Sequence, residues 1–139
     1  MATGTAPLSP AARDYHTAQT HFVSKSVAFN TVVSGSSVVV GTIPANSIIL
    51  RAIAVITTPF NADSTNTISV GTLASSVALI SSANATTAGV VTTTLISTAA
   101  SAVIFPTTEL IITARFGQTG AVASAGAAQI VVEYARLLG

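Results

Sequence analysis

Few side chains in this sequence could do chemistry. Five Lys/Arg, four Asp/Glu and two His are spread over 139 residues, and cysteine is absent. The histidines are His16 and His21. Zinc needs further nitrogen, sulfur or carboxylate ligands beside such a pair, and the nearest acid, Asp14, is alone. The pair reads as exposed or interface residues. Asn61, Asp63, Ser64 and Asn66 crowd one stretch and carry the oxygen atoms that Ca²⁺ prefers. A single carboxylate is a poor cation site, and these residue types close turns by bonding their own backbone. Turn chemistry is therefore the expectation. Serine is abundant, but neither histidine lies in the strand–turn–helix setting of a nucleophile elbow. No glycine-rich phosphate loop is present. Without cysteine there are neither disulfides nor thiolates. Asn84-Ala85-Thr86 fits the N-glycosylation pattern, but the N-terminus has no basic region followed by an apolar core, so no secretory signal is read there. The expectation is a protein that is not an enzyme and uses no cofactor or metal.

The charges that fall on strand-like segments say more. Arg51 reads on one face with Ile49, Ile53 and Val55. Arg115 shares a face with Glu109, and Glu133 lies within the last strand-like segment. A charge on an apolar face must be paired or sit at a wet boundary. Arg51 or Arg115 is thus expected to pair with Glu133 or Glu109 across strands, inside or beside a subunit interface. Together with Arg13, Asp14 and His16 near the N-terminus, the residues Arg51, Arg115 and Glu133 are the interface candidates.

These positions depend on β-strands. The longest strand-like run is Ser47 to Thr57, rich in Ile and Val, whose branching at Cβ suits a pleated surface. Pro44-Ala45-Asn46 precedes it and Pro59-Phe60-Asn61-Ala62-Asp63 follows. Eleven extended residues span roughly 36 Å. Thr20 to Phe29 alternates, with Val23, Lys25, Val27 and Phe29 on one side and Phe22, Ser24, Ser26 and Ala28 on the other. Ser37–Thr42, Asn66–Thr72, Val90–Ser97, Ala102–Phe105, Glu109–Phe116 and Ala128–Arg136 complete eight expected strands. Leu73–Ile80 is either a ninth strand or a loop anchored by Leu73, Val77 and Leu79. Ser81–Gly89 reads as a loop. Short strands separated by turn signals predict an all-β antiparallel β-sandwich, jelly-roll-like in strand count. The count alone does not separate a jelly roll from an immunoglobulin-like sandwich. Residues 1–18, with Pro7 and Pro10, read as an extended N-terminal arm. That arm is either disordered or ordered by contact with a neighbour. Ser9 to Arg13 within it could form one helical turn. Residues 19–139 read as one domain.

Composition narrows the function classes. Half the residues are hydrophobic and only 6% are charged, against about 25% in typical soluble proteins. A net charge of +1 gives little colloidal repulsion. Such a surface is suited to being covered by partners, so an assembly component is expected. The longest aliphatic run, Ala52-Ile53-Ala54-Val55-Ile56, is far short of the roughly 20 residues of a spanning helix. A membrane barrel would show aromatic girdles, and the chain has two Tyr and no Trp. Scattered Lys/Arg form no nucleic-acid footprint. Neither a membrane nor direct nucleic-acid contact is expected.

Gly41-Thr42-Ile43-Pro44-Ala45-Asn46-Ser47-Ile48-Ile49, Val55-Ile56-Thr57-Thr58-Pro59-Phe60-Asn61 and Ile68-Ser69-Val70-Gly71-Thr72 form a pattern with the closing Ala128-Gln129-Ile130-Val131-Val132-Glu133-Tyr134. It resembles that of small structural proteins of tailed bacteriophages, the capsid decoration proteins, also called cement or head-stabilisation proteins. The similarity spans residues 20–136. The resemblance implies a β-sandwich, often a homotrimer, seated on the outer capsid surface where it bridges copies of the major capsid protein. It implies a location in the virion after synthesis in the host cytoplasm, and it carries no active-site residues. Related patterns occur in tail-fibre and spike modules, which leaves a host-surface glycan binder as the alternative.

Overall fold

Alternation along the strands decides what this chain buries. In the computed structural model, which describes residues 20–31, 34–92 and 101–137, eight strands are formed. They are β1 (Thr20–Ala28), β2 (Ser37–Ile43), β3 (Ser47–Thr58), β4 (Thr65–Thr72), β5 (Ile80–Asn84), β6 (Gly89–Thr92), β7 (Leu110–Thr119) and β8 (Ala127–Arg136). On β8 the even positions Ala128, Ile130 and Val132 point inward and are buried, while the odd positions stay partly open. β7 turns Ile112, Ala114 and Phe116 inward, and Thr113 on its other face is buried as well.

Two four-stranded sheets result, ordered β1-β8-β3-β6 and β2-β7-β4-β5. The first strand pairs with the last, the second with the seventh, the third with the sixth and the fourth with the fifth, all antiparallel. The chain is thus one long hairpin rolled up on itself. The rolling brings β8 against β3 and β7 against β4. This order is that of a jelly roll and differs from the immunoglobulin arrangement. Between the sheets lies the core. Phe60 and Phe116 stack with centroids 4.4 Å apart, among fully buried Ile43, Ile49, Ile68, Ile112, Ile130, Val27, Val70 and Val132. Each such side chain contributes about 1.5–3 kcal/mol relative to exposure.

Two segments differ from the sequence reading. Ala102–Phe105, expected as a strand, falls on a single helical turn, Ser101–Ile104, whose Val103 and Ile104 pack on the core. It ends just before Phe105-Pro106, where proline disfavours a helical predecessor. Ile80–Asn84, mostly within the expected loop, pairs with β4. Its polar Ser and Asn side chains belong to a short edge strand, where one face and one edge meet water. Of the anchors expected between Leu73 and Ile80, only Leu79 is buried; its N–H donates to the Val70 carbonyl at 2.9 Å. β6 ends at Thr92, and residues 93–100 lie outside the described segments. So does the arm, residues 1–18, with its expected helical turn.

Candidate functional site

The surface that stands out is the outer face of the β1-β8-β3-β6 sheet. Strand register arranges its side chains in rows. One row runs Phe22, Glu133, Arg51; the next Ser24, Val131, Ile53, Thr92; the third Ser26, Gln129, Val55, Val90. Phe22 is 65% exposed and Val90 63%, at the two edges of the sheet. Val131, Ile53 and Val55 lie half-buried between them. The Ser26 hydroxyl hydrogen-bonds the Gln129 side-chain oxygen, which satisfies two polar groups within the subunit.

Arg51 and Glu133 form the one ion pair among the described residues. The Arg51 Nε–H donates to Glu133 Oε2 at 2.7 Å and a terminal N–H donates to Oε1 at 3.1 Å, a fork geometry that fixes both planes. The hydrogen bond from Arg51 holds the Glu133 carboxyl below the usual carboxylate range, partly opposed by loss of water and aided by the arginine charge. The same hydrogen bond and charge raise the arginine. One of the pairings open in the sequence is therefore made, within a single subunit.

The face assigned to Arg51 needs correcting. Ile49 is buried, Leu50 and Arg51 are exposed, and burial resumes on Ala52, Ala54 and Ile56. The register slips between Ile49 and Arg51, so two residues oppose one on β8, a β-bulge. The extra residue inverts the alternation. Arg51 shares the outer face with Ile53 and Val55, whereas Ile49 points into the core.

The other candidates separate. Arg115 lies on the outer face of the second sheet, opposite Ser37 and Ser69. Its guanidinium is close to Gly35, where a Cβ would come within 3.7 Å of it. It makes no ion pair with Glu109 or Glu133 among the described residues. Arg13, Asp14 and His16 lie outside the described residues. His21 stacks on Tyr134 across β1 and β8, with centroids 5.6 Å apart. Among the described residues no group of three His, Cys, Asp or Glu could hold a metal ion. The Asn66 side chain is buried and closes a turn on Ala62, accepting from its N–H at 2.9 Å and donating to its carbonyl at 3.1 Å.

The outer face of the second sheet is different in kind. Thr65, Thr67, Ser69, Thr113, Gly117 and Thr119 occupy most of it, beside Arg115, Ile111 and the exposed Val39, and Thr65 and Thr119 share a hydrogen bond of 2.7 Å. A shallow polar cleft of about 200 Å³ at its β4–β5 end is lined by Ser, Thr and Asn without an aromatic platform. What the sequence reading missed is the weight of Phe22 and Val90. The available signal was Phe22 itself, a large aromatic on the otherwise small and polar side of β1.

Neither a protein-family model nor a curated protein sequence matches the chain. Solved structures do. A chain of the cyanophage Pam1 capsid asymmetric unit superposes with a TM-score of 0.64 at 18% identity, over 86% of either chain. A chain of the acid-stable capsid of Helicobacter pylori bacteriophage KHP30 gives 0.59 at 15% identity, over 83% of this chain and 86% of that one. A chain of the capsid of Ralstonia phage GP4 gives 0.51 at 14%, over 84% and 86%. At these identities the common property is the fold, matched over more than four fifths of each chain.

Proposed function

We propose that this chain is a structural protein of a tailed-phage virion, a decoration or cement protein that sits on the outer surface of the head and stabilises the shell by bridging capsid subunits. The observation that carries this reading is the likeness in fold to a chain of a phage capsid, over 86% of both chains. Coverage that is equal in both directions means that the two matched chains are of similar size. Scarce charge and the exposed Phe22 and Val90 on the outer face of the first sheet support the same reading. The partners are the major capsid protein and further copies of this chain, as a homotrimer, and the site of action is the virion surface.

The mechanism is thermodynamic. A protein that binds the assembled shell and not its dissociated subunits stabilises the shell by mass action, about 2.7 kcal/mol per site when it is present at 100 times its Kd. Linking copies raises the effective concentration of each further contact. The arm, residues 1–18, provides reach to a neighbouring subunit. Deleting residues 2–15 leaves the sandwich folded and lowers occupancy on shells; undiminished occupancy removes that role for the arm.

The test of the whole reading is direct. Shells purified without this chain are mixed with it and imaged by electron cryomicroscopy, and their thermal disruption is followed by light scattering. Density at repeated lattice positions on the outer surface, with a higher disruption temperature, is the expected result. Density at the tail alone, or no density at all, overturns it.

A further inference from the structure

We infer that the outer face of the β1-β8-β3-β6 sheet is the surface through which copies of this chain contact one another. Three observations point to a second copy as the occupant. Apolar side chains reach across the face, Phe22 and Val90 at its edges and Val131, Ile53 and Val55 between them, set among Ser24, Ser26, Gln129 and Thr92. Its two charges, Arg51 and Glu133, neutralise each other inside the subunit. An unpaired Arg51 would carry a net charge into any contact between copies, whereas the closed pair presents none. The size also fits. Four strands about 4.8 Å apart, roughly nine residues long on average although β6 has only 4, make a face of roughly 600 Å². Covered by a copy, it removes roughly 1,200 Å² in total, the lower end of stable interfaces. The opposite face is partly covered by the chain itself: Ser69 and Thr113 are buried there, and residues Ser75 and Ser76 lie over Gly71.

The presence of further copies rests on the assembly reading above; the location of the contact rests on geometry alone. Sedimentation equilibrium of the purified chain is the experiment, with near-ultraviolet circular dichroism to check folding. The native chain associates. Ile53→Lys on this face weakens association on the order of a hundredfold or more, while Thr67→Lys on the opposite face leaves it unchanged. Glu133→Leu strands Arg51 and weakens association by a similar factor. The double variant Arg51→Leu/Glu133→Leu restores it, a rescue that a purely structural role of the pair does not produce. A native chain that stays monomeric overturns the inference. So do Ile53→Lys and Glu133→Leu variants that associate like the native chain, or a Thr67→Lys variant as weak as Ile53→Lys. Shell binding is read separately. An associating chain that ignores shells removes the proposed function and leaves this surface standing. A monomer that decorates shells, and loses them through Ile53→Lys, assigns the face to the shell and overturns the inference.

Discussion

At the scale of the residue, the Arg51–Glu133 pair and the glycines at close approaches set local expectations. The Glu133 carboxyl is held below its ordinary value, so its folded state binds a proton less readily than the unfolded chain does. Its contribution to stability is therefore present above the unfolded carboxylate range and is lost as pH falls through the lower folded value. Half-exposed as the pair is, with side chains 51% and 25% accessible, water screens it and the contribution to folding of the single subunit is small. Acid titration of the thermal midpoint is expected to separate native protein from Glu133→Gln only slightly above the ordinary carboxylate range, with the gap closing as pH falls through and below it. A gap that widens as the pH falls contradicts the assignment. Gly126 is less forgiving. Its φ of +145° excludes most L side chains, and a Cβ there would lie 2.2 Å from Phe60 Cδ1. Gly126→Ala is expected to destabilise by at least about 1–3 kcal/mol through overpacking, read by urea unfolding. Phe60→Ala removes one half of the ring stack and is expected to destabilise by about 3–5 kcal/mol.

At the scale of the element, β3 is the instructive case. Its composition marks it as a strand, but composition does not reveal that Leu50 is an extra residue. The bulge is a property of the pairing with β8, where Ile49 opposes Tyr134 and Arg51 opposes Glu133. This yields a sharp expectation. Deleting Leu50 leaves Ile49 inward, Arg51 outward and Ala52 inward, so the strand becomes regular and the protein folds. Deleting Ile53 inverts every later position, turning Ala54 and Ile56 to water. Circular dichroism and thermal melts of the two deletions should show a folded first variant and an unfolded or severely destabilised second; equal behaviour disproves the bulge assignment. The helical turn Ser101–Ile104 and the polar strand β5 were misread for a related reason. Four- or five-residue segments carry too little periodicity, so the neighbouring elements decide their shape.

At the scale of the whole molecule, the rolled hairpin ties the two ends of the chain together. β8 pairs with both β1 and β3, so the first sheet has no centre without it. Truncation after Gly126 is expected to abolish β-sheet circular dichroism altogether rather than fray one edge. A truncated chain that keeps cooperative unfolding would show the sandwich to be modular. What the sequence by itself determined is the all-β class, most strand positions, the absence of a recognisable catalytic constellation and the scarcity of charge. Each of these follows from local side-chain chemistry: Cβ branching, two-residue alternation, turn formers and residue type. Only the tertiary structure decided that the order is a jelly roll, that Glu133 rather than Glu109 closes on an arginine, and which sheet face carries Phe22 and Val90 into solvent. Those outcomes depend on pairings between residues as distant as Thr20 and Ala135, and strand register over such separations is fixed by packing, which no local window of sequence contains.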